Sequence, residues 1–90
     1  MATQQEIAKS IESHIRRKSF LQFFWGYENW YIGVTEFPDK RKQGHKHPEK
    51  WKAWKVSTAS SARTIEEHFL MKGMKGGKGG GTNTVWVYVY

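Results

Sequence analysis

The chain contains no cysteine, too few acidic residues to balance its basic ones, and no apolar run near the roughly 20 residues of a membrane span. The first absence excludes a disulfide scaffold and a thiolate metal site, and fits an intracellular setting. The last, together with a polar N-terminus unlike a secretory signal, makes a cytoplasmic protein the expectation. Eight acidic residues against fifteen lysines and arginines leave a formal charge of +7 and a pI near 9.8. Such a surface implies a polyanionic partner, nucleic acid or an acidic membrane surface; with no membrane span, DNA or RNA is expected and a membrane is not. Ninety residues allow one domain, 1–90, with a modest core to which an aromatic content of 16% must contribute much. No internal repeat is visible.

What is present is locally legible. Thr3-x-x-Glu6 is a capping-box pattern, and Ile7, Ile11 and Ile15 follow it at four-residue intervals, which predicts a helix from about Thr3 to Arg17. Its stripe suits packing on a sheet, or docking of a protein partner. Phe20 to Trp25 and Trp30 to Thr35, separated by Gly26-Tyr27-Glu28-Asn29, read as a β-hairpin. Pro38 and Asp39 open a short helix that ends near Gly44 to Pro48. Trp51 to Ser57 reads as a strand, and Ser60 or Ser61 as the cap of a helix with apolar stripe Ala62, Ile65, Phe69 and Leu70, stopped at Gly73. The run from Gly76 to Gly81 is expected as a flexible loop or backbone nest, and Val85 to Tyr90 alternates as a terminal strand.

The segment Trp30-Tyr31-Ile32-Gly33-Val34-Thr35, followed by Pro38-Asp39-Lys40-Arg41 and His45, carries the chemistry. Alternation puts Trp30, Ile32 and Val34 on one face and Tyr31, Gly33 and Thr35 on the other. Gly33 leaves a gap there that marks either a close approach or a bend. Tyr31-Ile32-Gly33, with an arginine ten positions after the tyrosine and a histidine four further on, resembles the GIY-YIG nuclease superfamily over roughly Phe20 to Lys72. The elements read along the chain assemble as an α+β fold, a small mainly antiparallel sheet of the hairpin, the Trp51 strand and the terminal strand with three helices packed on it, in keeping with the GIY-YIG resemblance. The resemblance divides the chain into an N-terminal helix extension (1–18), a core (19–73), and a Gly-rich loop with terminal strand (74–90). It also implies a catalytic set of Tyr31, Arg41 and a helical glutamate, with Mg²⁺ or Mn²⁺ as cofactor.

That glutamate is placed by geometry. At 100° per residue Glu66 falls within the arc of Ala62, Ile65, Phe69 and Leu70, whereas Glu67 falls outside it. A carboxylate on the packed side needs a cation, a hydrogen bond or a metal. The residue pattern leaves open an ion pair with Arg41 or a lysine; the resemblance implies a metal ligand, with Ala62 four residues before it as in the family. By the same resemblance Tyr31 positions or activates water, Arg41 stabilises charge on phosphorus, and His45 assists as a proton carrier or phosphate contact. The chain departs from the family at its first motif. Phe20 and Leu21 stand where a tyrosine belongs, so the expectation is slow chemistry or none, and Asn83 is the candidate for the family's late asparagine.

Between Asp39 and Lys55 seven basic residues, Lys40, Arg41, Lys42, Lys46, Lys50, Lys52 and Lys55, interleave with Trp51 and Trp54 against two acidic ones. Lysines beside aromatics suit phosphate contact and base stacking, or form a solvated face over core tryptophans. His45 and His47 are too few for a closed zinc site, and Gly73 to Thr82 lacks the Gly-Lys-Ser/Thr ending of a phosphate loop. Three functions are thus expected: a metal-dependent phosphodiester hydrolase, a silent nucleic-acid-binding relative, or a module whose N-terminal helix docks a protein.

Overall fold

A computed structural model describes residues 3–18, 27–46, 50–76 and 85–90. The expected strand from Phe20 to Trp25, His47, Asn83 and the Gly-rich run beyond Gly76 lie outside the described residues.

Helix α1 spans Gln4–Lys18. Its start is the capping box: the Thr3 hydroxyl accepts from the Glu6 amide at 3.1 Å, and the Glu6 carboxylate accepts from the Thr3 amide at 3.1 Å. These bonds hold the Glu6 carboxyl below its ordinary range. Ile7, Ile11 and Ile15 are buried in the core, so the stripe packs inward and a protein partner on this helix would have to meet its outer face. His14 joins them, 4% exposed, its Nε2 donating to the Lys50 carbonyl at 2.7 Å and its ring edge-on to Trp30 and Trp54.

After a 3-10 turn at Tyr27–Asn29 come strand β1 (Tyr31–Thr35), helix α2 (Pro38–Gly44), strand β2 (Lys52–Lys55), helix α3 (Ala59–Met71), strand β3 (Lys75–Gly76) and strand β4 (Trp86–Val89). The fold is α+β. The sheet order is β2-β4-β1-β3, with β4 antiparallel to both neighbours and β3 parallel to β1. The terminal strand is therefore central, and the described antiparallel partner of β1 comes from the far end of the chain.

Two expected boundaries move. Thr58, not Ser60 or Ser61, caps α3: its hydroxyl accepts from the Ser61 amide at 3.0 Å, and its extended backbone at φ −144° suits the position before a helix. Gly76, expected in a loop, closes β3. Its φ is +131°, and a Cβ there would run into the Ile32 carbonyl, so the parallel pairing needs glycine. Gly73 stops α3 as expected: at φ +111° it donates to the Leu70 carbonyl, while Met74 donates to Phe69.

One face of the sheet carries Trp30, Ile32, Val34, Val87 and Val89, all buried, and α1 and α3 cover it with Ile11, Ile15, Ala62, Ile65 and Phe69. The other face carries Tyr31, Gly33 and Thr35 in register with Trp86 and Tyr88, and the chain of α2 lies beside it. No helix among the described residues is long and apolar enough to cross a membrane.

Candidate active site

The aromatic face is built from strand alternation. Trp86, Tyr88 and Tyr90 project to the same side as Tyr31 and Gly33, because Gly33 pairs with Tyr88 and because Tyr31 and Tyr90 exchange backbone hydrogen bonds at 2.8 and 3.1 Å. Tyr31 and Tyr90 stack with centroids 5.1 Å apart, and Trp51 stacks on Tyr88 at 4.5 Å. The gap at Gly33 is filled by the Tyr88 ring, into which any Cβ at that position would collide. The close approach expected at this glycine is thus made by a side chain of the same protein.

Helix α2 supplies the polar side. Arg41 and His45 are four residues apart, and the His45 amide donates to the Arg41 carbonyl at 3.1 Å, so both side chains leave the helix on one flank. His45 Nδ1 is hydrogen-bonded to the Tyr90 hydroxyl at 2.6 Å. With Nδ1 unprotonated, the phenol donates and the imidazole is the base. A cleft of about 280 Å³ results, lined by Tyr31, Arg41, His45, Gly76, Tyr88 and Tyr90. Tyr31, Arg41 and His45, selected from sequence, therefore meet in one concavity.

Glu66 faces inward as the stripe requires, 6% exposed. It does not line the cleft and makes no ion pair with Arg41 among the described residues. Its carboxyl is pushed up by burial, with Arg63 opposing and Glu67 adding to the rise. The link to the cleft runs through Tyr88. That phenol is pushed above its ordinary value chiefly by burial, is pulled back by Arg41 and is raised further by Glu66, so it lies within electrostatic reach of both. Tyr90 is raised by burial, by Tyr88 and by Tyr31, again against Arg41. Both phenols are accordingly neutral near pH 7.

Among the described residues no three His, Asp or Glu side chains gather as a metal cluster. A hard cation that keeps its waters needs one or two carboxylates besides substrate phosphate, and Glu66 is a buried carboxylate with no hydrogen bond among the described residues. Of the described side chains Glu66 offers the carboxylate oxygen such an ion takes, but it stands alone and off the cleft lining.

Tyr88 and Tyr90 bring two further hydroxyls to the cleft. Sequence reasoning missed them as site residues because it sought a tyrosine ten positions upstream of Tyr31. The signal was the Val-Trp-Val-Tyr-Val-Tyr alternation, which lines three aromatic rings along one face. The basic strip does not hold together as one surface. Lys50 lies over the Trp30 ring at 5.5 Å and Lys52 over Trp54 at 5.5 Å, on the side that α1 covers. Lys40 lies over Phe37 at 5.3 Å beside Arg41, and Trp51 is in the aromatic stack. Lys55 pairs with Trp86 on the aromatic face, Lys42 is half-buried on α2, and exposed Lys46 follows that helix at φ +63°. Comparison with known proteins returns no match for the chain: no family model, no curated sequence and no solved structure.

Proposed function

We propose that the chain is a GIY-YIG-like domain that binds DNA or RNA and hydrolyses a phosphodiester in the tyrosine cleft. The observation that carries this reading is the convergence of Arg41, the His45–Tyr90 pair and the Tyr31 and Tyr88 phenols on one cleft. Each has a task. Arg41 presents a permanent forked cation to the phosphate oxygens and stabilises charge that grows as the nucleophile arrives. The His45 imidazole takes a proton from an attacking water through the Tyr90 phenol, which passes its own proton to Nδ1 as it accepts the water's. The Tyr31 and Tyr88 hydroxyls donate to and orient that water or a phosphate oxygen. Glu66 would hold Mg²⁺ or Mn²⁺, which supplies Lewis-acid stabilisation of phosphoryl charge. The same reading places the protein in the cytoplasm, in keeping with a cysteine-free chain.

A silent nucleic-acid binder is the second reading, favoured by the position of Glu66 off the cleft lining. Purified protein incubated with single-stranded, duplex and branched DNA and RNA plus Mg²⁺ or Mn²⁺ separates the two. Cleavage is expected, abolished by Glu66→Ala with binding retained, and reduced together with binding by Arg41→Ala, since the arginine meets the phosphate before reaction. Binding without cleavage selects the silent reading. Cleavage that survives Glu66→Ala removes Glu66 from the site.

A further inference from the structure

Arg41 lines a second groove of about 280 Å³, bounded by Thr35, Phe37, Lys40 and Gly44 on the flank away from the tyrosines. Phe37 is 55% exposed there, one of three large exposed apolar residues in the described structure; another, Tyr31, borders the first cleft. The two rings are furnished alike. Lys40 sits 5.3 Å from the Phe37 centroid and Lys75 5.4 Å from that of Tyr31, so each exposed ring has a cation over it and Arg41 is common to both clefts.

The local sequence gives no structural reason for a phenylalanine at this point. Phe37 occupies the N-cap of α2, where Ser, Thr, Asp or Asn would accept from a free amide, and its side chain makes no cap bond. Its backbone is nonetheless fixed at both ends. The Phe37 amide donates to the Thr35 hydroxyl at 3.1 Å, and its carbonyl accepts from the Arg41 amide at 3.1 Å. A large ring is therefore held out in water on a rigid turn, in a position the fold would fill better with a polar cap. An aromatic platform with a lysine over it, beside a phosphate-binding arginine, is complementary to one ligand class, a flat ring joined to an anion.

We infer that the Phe37 groove is a nucleobase subsite: an unpaired base stacks on Phe37 while the phosphate attached to it is held by Arg41. Resting on the nucleic-acid reading above, this narrows the substrate to strands whose bases are free to splay, because a base inside a duplex cannot leave its stack to reach Phe37 without a cost. Lys40 meets the backbone on that side. Gly44 borders the groove on open space, so a side chain added there would meet no neighbour within 4 Å.

The test uses fluorescein-labelled single-stranded dodecamers of DNA and of RNA, and the DNA duplex of the same sequence, titrated at low salt with the full chain. Phe37→Ser offers α2 a cap, so the thermal midpoint holds or rises. Affinity for the single strands should fall about tenfold while duplex affinity stays within about twofold. Phe37→Trp should retain single-strand binding, and Gly44→Leu, which fills the groove, should lose it. A loss confined to DNA or to RNA identifies which sugar the subsite accepts. Single-strand affinity unchanged in Phe37→Ser, or strand and duplex weakened equally, overturns the subsite and leaves the wider reading standing. Parent protein that binds none of the three probes overturns both.

Discussion

Glu66 is the residue on which the proposed chemistry and the stability of this protein pull in opposite directions. Its carboxyl is pushed up from the ordinary value by burial, so ionising it inside the fold is unfavourable. By linkage, its contribution is unimpaired below the unfolded value near 4.5 and is lost as pH rises through the elevated folded value. As pH rises above that unfolded value, the cost of carrying the charge inside the fold grows. Glu66→Gln keeps the shape and removes the charge, and should raise the thermal midpoint at pH 7 above that of the parent. The gain should vanish on acidification to pH 4, where both side chains approach neutrality. Mn²⁺ should raise the midpoint of the parent and leave that of Glu66→Gln unmoved. A variant less stable than the parent at pH 7 would mean that the carboxylate has a stabilising partner and is not waiting for an ion.

At the scale of elements, Gly33 shows how a strand and a site depend on one another. The Tyr88 ring lies where a Cβ would be, so Gly33→Ala must displace that ring or bend β1 away from β4. The expected cost is about 1–3 kcal/mol by denaturant unfolding, typical of overpacking, with nucleic-acid affinity falling beside it because Tyr88 lines the cleft. An alanine variant of parent stability would show that Tyr88 does not rest there. Gly33 was legible in sequence only as a gap, and this marks the general limit. The capping box of α1, its isoleucine stripe, the inward turn of Glu66 and the Gly73 stop were all readable, because each rests on residues within a turn or two of one another. Strand pairing is not local. Nothing near Tyr31 announces that its antiparallel neighbour is β4, and so the tyrosines that complete the cleft stayed hidden in a terminal strand already recognised as one. The parallel β1–β3 pair escaped notice for a related reason: it is two residues long and ends in a glycine whose composition says loop.

For the molecule as a whole, with its formal charge of +7, the question under the proposed reading is which face would meet a nucleic acid. The sequence offers one basic strip from Lys40 to Lys55, but folding parts it. Lys40 goes with the Phe37 groove, and Lys75 from β3 lies over Tyr31 at the tyrosine cleft, the two clefts sharing Arg41. Lys50 and Lys52 go with Trp30 and Trp54 against the α1 side. Each phosphate neutralised releases counterions, so the slope of log affinity against log salt counts the contacts made, at about 0.7–0.9 units apiece. If strands lie along the tyrosine and Phe37 grooves, Lys40→Ala with Lys75→Ala should lower that slope by about 1.5 units. Lys50→Ala with Lys52→Ala removes the same charge from the protein and should leave the slope nearly unchanged, with only a small uniform loss of affinity from the weaker overall field. Because both double variants carry the same net charge, the comparison isolates position from charge. The opposite pattern would place the nucleic acid across the Trp30 and Trp54 side, and the clustered tyrosines, arginine and histidine would then need a ligand other than a phosphodiester.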